Sequence, residues 1–298
     1  MKIFACTTVA LASLLGSVAT AQDDSEPKDP SPQIKKLVAA FKYQKGKVTV
    51  GKNLATVDMP ADFRFLAPKD AQSMLEKVWG NPPDSSILGL ILPADLEPTD
   101  PACWAIIVTY DEEGYIKDDD ASSLNYDDLL SDMKSDVKDA NEEREKAGYE
   151  PLELIGWATK PHYDAAEKKL YWAKELKFGD SSDHTLNYNI RILGRKGVLV
   201  LNAVADMGDL GAIEAVAPQV LSFVDFSDGN RYEDFNPSID KVAAYGIGAL
   251  IAGKVALKVG LIKGFWVAIL AAKKIILIGL IAVGAFVAKL FGRRKPAA

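Results

Sequence analysis

Arg191 lies in the run Thr185 to Leu193, where Asn187, Asn189 and Arg191 alternate with Tyr188, Ile190 and Ile192. A period of two puts the polar three on one face of a strand and the apolar three on the other. An arginine fork beside asparagine amides can hold an anionic or carbonyl group, and an indole ring supplies stacking area. Arg195 follows just beyond the run, and Trp157 and Trp172 fall in neighbouring strand-like runs. Pairing of these runs in sequence order would gather the polar and aromatic residues into one groove, the candidate ligand site. The plain alternative is that the tryptophans fill core and Arg191 pairs with a carboxylate.

A second set is acidic. Between Thr109 and Asp120 the spacing resembles a calcium loop, with Asp111, Glu113, Gly114, Ile116 and Asp120 at the third, fifth, sixth, eighth and twelfth places. Thr109 stands where Asp is required, and Asp120 where a bidentate Glu is required. A solvated acidic turn accounts for the segment as well, which leaves Asp118, Asp119 and Asp120 as a candidate for weak calcium binding. The chain has two histidines, His162 near Asp164 and His184 beside Asp183. Histidine suits general-base work near neutral pH, but neither lies at metal-ligand spacing. No G-x-S-x-G, P-loop or paired-cysteine motif accompanies them, so exposed turn histidines are the plainer reading and no cofactor is implied.

The elements that must position these residues follow from periodicity. Ile34 to Phe41 predicts a short helix, Gly46 to Asp58 a hairpin about Gly51-Lys52-Asn53, and Pro68 to Val78 a helix stopped at Gly80. Ile87 to Leu92 and Cys103 to Tyr110 read as interior strands. Asn125 predicts the start of a helix with an apolar stripe of Leu129, Leu130, Met133, Val137 and Ala140, closed near Gly148. Leu152 to Thr159, Lys169 to Phe178, Thr185 to Leu193 and Val198 to Val204 predict an antiparallel meander. Leu210 to Phe223 predicts a covering helix that Pro218 would bend or shorten. Together these give an α+β domain, a mainly antiparallel twisted sheet with packed helices. The late meander and helix resemble the α/β/α sandwich of PsbP and Mog1-like proteins.

The two ends predict topology. Lys2, the apolar run Ile3 to Val18 and Ala19-Thr20-Ala21 make residues 1–21 a cleaved secretory signal peptide. Residues 22–44 read as a tether and short helix, 45–240 as the exported domain, 241–292 as a membrane anchor and 293–298 as a basic tail. No Asp or Glu follows Asp240, and Ile275 to Ala288 is unbroken apolar sequence, which with Leu290 and Phe291 approaches a membrane span. Lys254, Lys258, Lys263, Lys273 and Lys274 interrupt the region, so one span or a two-helix hairpin both fit, the hairpin preferred. In that hairpin Ala243 to Ile262 is one helix, and Gly246 and Gly248 are among the small residues that let helices approach. The lipid bilayer, met through Val242 to Phe291, is the first expected partner.

Charge and cysteines bound the rest. Of 35 Lys and Arg, ten follow Asp240 and one is Lys2, which leaves 24 against 41 acidic residues, near minus 17 for the exported part. Such a surface argues against nucleic acid. Cys6 falls in the signal, so Cys103 stands alone in the mature chain and is expected to be a buried, unreactive thiol.

The segments GYIKDDDASSLNYDDLL (Gly114 to Leu130), NEEREKAGYEPLELIGWATKPHYD (Asn141 to Asp164), LYWAKEL (Leu170 to Leu176), LNYNIRILGRKGVLVLN (Leu186 to Asn202) and DKVAAYGIGALIAG (Asp240 to Gly253) are similar to those of a bacterial family of uncharacterised membrane-anchored proteins, domain of unknown function 2167. The resemblance runs from about Lys45 to the end of the anchor. It implies an exported domain held at a membrane and carries no activity or catalytic residue. Two function classes therefore stand. The preferred one is a non-catalytic binding or assembly module of the cell envelope, periplasmic and held at the inner membrane, with an envelope protein as its partner. The other is an envelope hydrolase or ligand-processing enzyme using His162 and Asp164 or the Arg191 face. A pocket joining His162 to Arg191 would favour the enzyme, and separate placement would favour the module.

Overall fold

The computed structural model describes residues 30–253, apart from 82, 101, 102, 147 and 149. The expected signal peptide, most of the tether and the anchor beyond residue 253 lie outside the described residues. Helix α1 spans Pro32–Ala39, followed by strands β1 (Tyr43–Gln44), β2 (Lys47–Val50), β3 (Ala55–Asp58) and β4 (Phe63–Leu66). Helix α2 (Pro68–Ser73) runs on into a π-helical turn, Met74–Val78, before β5 (Gly89–Pro93) and β6 (Ile106–Asp111). Helix α3 (Tyr126–Lys146) leads to β7 (Leu152–Asp164), β8 (Lys169–Phe178), β9 (Thr185–Leu193) and β10 (Val198–Asp206). Helix α4 (Leu210–Phe223), β11 (Val224–Phe226) and helix α5 (Ile247–Ala252) complete the order.

Eight strands form one sheet in the order β1-β4-β5-β6-β10-β9-β8-β7, and every pair of neighbours is antiparallel. The expected meander is its right-hand half. The β2–β3 hairpin leaves this sheet and pairs with β11 instead, as a second sheet of three strands. Both edges of the large sheet are blunted: β1 has two residues, and β7 carries register shifts after Leu154, Trp157 and Thr159 that break a flat edge.

One face of the large sheet presents Tyr188, Ile190, Ile192, Leu199 and Leu201 to α4 and to the small sheet, where Ile213, Val220, Val48, Val57 and Phe226 close a single core. Full burial of each such aliphatic side chain contributes about 1.5 to 3 kcal/mol. Helix α4 has the expected bounds, and Pro218 does not shorten it, because its ring is on the exposed side where the carbonyl it leaves unpaired can meet water. The other face is covered twice. Val38, Ala71, Met74 and Leu75 of the early helices pack on Leu66, Leu90 and Leu92, while Met133 of α3 packs on Leu154 and Leu176. Asn125 starts α3 as expected, its Oδ1 accepting the Asp127 N–H at 3.0 Å.

Residues 241–253, assigned by sequence to the anchor, pack on the domain. Tyr115 N–H donates to Lys241 O and Ala243 N–H to Tyr115 O, each at 2.8 Å. Helix α5 starts at Ile247 rather than Ala243 and closes at Gly253, in the left-handed region at φ 72°. Ile247, Leu250 and Ile251 are buried. Gly246 and Gly248 are small for a local reason: a Cβ on Gly246 would lie 2.6 Å from Asp120 Oδ1, and one on Gly248 2.8 Å from Leu124. An acid-free apolar run has the same composition whether it packs in a domain or enters lipid, which is why sequence alone set the boundary too early. Among the described residues no helix is long and apolar enough to cross a membrane.

Candidate functional site

Strand register builds a grid on the sheet face opposite Tyr188 and Ile190. Leu170, Arg191, Val200 and Thr109 form one row across β8, β9, β10 and β6; Trp172, Asn189, Asn202 and Ile107 form the next. A third row runs Trp157, Lys174, Asn187 and Val204 from β7 to β10. Arg191, Asn189, Asn187, Trp172 and Trp157 therefore share one face, as alternation and sequential pairing require.

This face is not the open groove expected. Asn187, Asn189 and Asn202 are 2%, 4% and 3% exposed, because β9 and β10 lie in the middle of an eight-stranded sheet with covered faces on both sides. Buried amides must then bond to one another. Arg191 Nη2 donates to Asn189 Oδ1 at 3.2 Å, and Asn189 Nδ2 donates to Asn187 Oδ1 at 2.8 Å. Asn187 Nδ2 donates in turn to Asn202 Oδ1 at 3.5 Å. The guanidinium carbon of Arg191 lies 5.1 Å from the centre of the Trp172 ring, a cation–π placement.

Trp172 is 1% exposed, and its indole N–H has no acceptor among the described residues. Trp157 differs: its indole N–H donates to Tyr126 O at 3.0 Å, tying β7 to the start of α3. Arg195 stands apart from the set. Its Nε donates to Asp240 Oδ2 at 2.7 Å and its Nη1 to Gly229 O, which locks the β9–β10 turn to the loop before α5.

Sequence reasoning missed Lys174, although it alternates with Leu170, Trp172 and Leu176 and so had to point the same way. Lys174 is partly exposed and forms no hydrogen bond or ion pair among the described residues. Burial, and then the positive charge of Arg191, push its ammonium down to about 8.

The three aspartates of the metal candidate do not converge. Asp118 Oδ2 accepts Lys168 Nζ at 2.7 Å and Tyr163 Oη at 2.6 Å, and its Oδ1 accepts Tyr232 Oη at 3.1 Å. Asp120 instead accepts the backbone N–H groups of Ile247 and Gly248, and Asp119 is exposed. Thr109 belongs to β6, so the segment starts as a strand and not as a calcium loop. Among the described residues no three His, Cys, Asp or Glu side chains are placed to hold a metal ion.

His162 is exposed, its ring 5.2 Å from Tyr171, on the face opposite Arg191. Asp164 accepts the N–H groups of Ala166 and Glu167 and shapes the β7–β8 turn. His184 Nδ1 lies 2.5 Å from Glu175 Oε1. His162 and Arg191 lie on opposite faces of the sheet, which stands between them.

The family model described as Protein of unknown function (DUF2167) matches residues 42–284. No curated protein matches the chain in sequence. Among solved structures it is similar to cyanobacterial PsbP (CyanoP) from Synechocystis sp. PCC 6803, with 12% identity and a TM-score of 0.36, over 62% of this chain and 93% of that one. It is also similar to LpqN of Mycobacterium tuberculosis, described as involved in cell envelope biogenesis, with 14% identity and a TM-score of 0.29, over 67% and 99% of the two chains. Superpositions this loose carry no argument about function.

Proposed function

The chain belongs to the DUF2167 family of proteins of unknown function, and from that premise we propose that it is a non-catalytic binding or assembly module of the bacterial cell envelope. In this reading the signal peptide exports the domain to the periplasm and the acid-free C-terminal sequence holds it at the inner membrane. One observation carries the choice of module over hydrolase: Arg191, Asn189 and Trp172 are joined on one sheet face, while His162 lies on the other. A general base must reach its substrate within hydrogen-bond distance, and a base behind the sheet cannot serve a ligand held by Arg191.

The test is affinity purification of the full-length protein from intact membranes, with Arg191→Gln as the comparison. A discrete envelope protein captured by the native chain and lost with the variant supports the reading. Capture that is indifferent to Arg191 overturns the choice of face. A reporter fused after Asp240 that is active only in the cytoplasm overturns the topology.

A further inference from the structure

We propose that the turn from Phe235 to Val242 is a membrane-contact tip that sets Ile239 and Val242 into the headgroup layer of the bilayer. The inference rests on the reading of the C-terminal sequence as a membrane anchor and says how the folded domain meets that membrane. Ile239 is 71% exposed and Val242 40%, and they are the exposed large hydrophobic side chains among the described residues. Single apolar residues scattered over a surface are ordinary. These two lie close together on a turn whose backbone is tied. Asn236 O accepts the N–H groups of Ile239 and Asp240, Asn236 Oδ1 accepts that of Ser238 at 3.0 Å, and Asp240 Oδ2 accepts that of Asn236 at 2.8 Å. Phe235 stacks on Tyr115 at 3.9 Å, and the bridge from Tyr115 fixes Val242. The turn therefore holds Ile239 in water, where burial of the pair is favourable.

Charge and chain position choose the occupant. From Phe235 to the last residue, Asp240 is the one acidic side chain. That side chain is 1% exposed and is engaged by Arg195 at 2.7 Å and Lys196 at 3.9 Å, so the charge the turn shows to solvent is the basic Lys241. Exposed Glu233 precedes the turn, and the contact is accordingly apolar, with no need of anionic lipid. About twenty residues separate Gly253 from the unbroken apolar run at Ile275, and even at the 1.5 Å per residue of a helix they reach about 30 Å. Chain length thus leaves the tip free to turn to the surface that the anchor enters. Two side chains hold a bilayer weakly by themselves, but an anchored domain meets its own membrane at high effective concentration, so weak insertion is enough to set its orientation.

The test uses the full-length protein in phosphatidylcholine vesicles, with flotation measured first. An environment-sensitive fluorophore is placed on Ile239→Cys, on Val242→Cys or, as the comparison, on Ser182→Cys, which is exposed in the β8–β9 turn at the far end of β9 from Arg195. The native chain, whose Cys103 is buried, is the labelling blank. Both tip labels are expected to shift to the blue and to lose at least about half their emission to a nitroxide-bearing lipid, while the label on Ser182→Cys keeps its emission. Joint replacement by Ile239→Asp and Val242→Asp should remove the quenching of a label on Lys241→Cys, and because both positions are exposed the fold is kept. Tip labels that stay in water on protein that floats overturn this inference and leave the anchor standing, as does quenching that survives the two aspartates. Protein that does not float overturns the anchor reading and this inference with it. Quenching that requires anionic lipid overturns the apolar contact. Self-quenching that grows with protein per vesicle, in place of quenching by lipid, makes a second copy the occupant and overturns the bilayer.

Discussion

Asp120 accepts the backbone N–H of Gly248 at 2.9 Å, 128 residues further along the chain. Its other oxygen takes the N–H of Ile247 at 2.9 Å, so one carboxylate satisfies two of the amides that the start of α5 leaves unpaired. Together with the Tyr115 bridge to residues 241–243 and the Arg195–Asp240 pair, it fixes the segment that leads toward the C-terminal apolar sequence.

Removing that carboxylate should loosen this segment first. Asp120→Ala is expected to cost about 1 to 2 kcal/mol, in line with the loss of a helix-start acceptor. Hydrogen exchange at Ile247 and Gly248 should speed up while exchange in β9 and β10 is unchanged. Gly246→Ala should loosen the same amides by pushing Asp120 away. Uniform acceleration across the sheet would show that Asp120 supports the whole domain instead.

Asp118 supplies a pH signature. Burial raises its pKa, but the hydrogen bonds from Lys168, Tyr163 and Tyr232 outweigh it and leave the carboxyl lower than the usual value. A group depressed in the folded state stabilises the protein above its unfolded pKa, and that stability is lost as pH falls through the folded value. Asp118→Asn should therefore lower the midpoint at neutral pH and flatten the loss of stability below about pH 4. An acid limb identical to that of the native chain would remove Asp118 from this role.

Much of this architecture was legible in the sequence. Strands β7 to β10 announced themselves by runs of β-branched and aromatic residues between turns, and α4 by its bounds. β4 did not: Phe63, Arg64, Phe65 and Leu66 are all buried, so the segment has no alternation to read. Nor did the departure of β2 and β3 from the large sheet, because their partner β11 lies more than half the chain away. At the site, periodicity fixed which residues share a face. It was silent on the layer above that face, and so on the burial of Asn187 and Asn189.

Cys103 is a buried free thiol pushed up to about 12, by burial first. A thiolate is the reactive form, so Cys103 should resist a polar thiol reagent near neutral pH until the protein is unfolded. Fast labelling of the native protein, or a disulfide dimer on a non-reducing gel, would contradict this.

Lys174 acts on stability in the alkaline range. Its folded pKa is about 8 against 10.5 for the ordinary side chain, so between those values the unfolded chain holds a proton that the folded chain has lost. Stability then rises with pH across that window, and the penalty on the partly exposed ammonium is present below it. Tyr43 and Tyr110, pushed up to about 12 by burial, act in the opposite sense above about 10. Thermal midpoints between about pH 7 and about 9.5 should climb for the native protein relative to Lys174→Met. Parallel curves would show that the amine is ordinary.

The relay from Arg191 through Asn189 to Asn187 makes the last prediction. Asn189 Oδ1 accepts from Arg191, and its Nδ2 donates to both the side chain and the backbone carbonyl of Asn187. Asn189→Ala takes the Asn189 donor away from the buried Asn187 side chain and removes one acceptor of Arg191, and should cost about 1 to 3 kcal/mol. Arg191→Met keeps the packing on Trp172 and gives up the hydrogen bonds to Ile190 O and Asn189, so it should cost less, about 1 to 2 kcal/mol. Because the two share a bond, the double variant should be less destabilised than the sum, with a coupling of about 1 kcal/mol. Denaturant unfolding of the four proteins measures it. Additivity within about 0.5 kcal/mol would break the relay. A cost of about 3 to 5 kcal/mol for Arg191→Met alone would make Arg191 half of a buried charge pair, and a structural residue first.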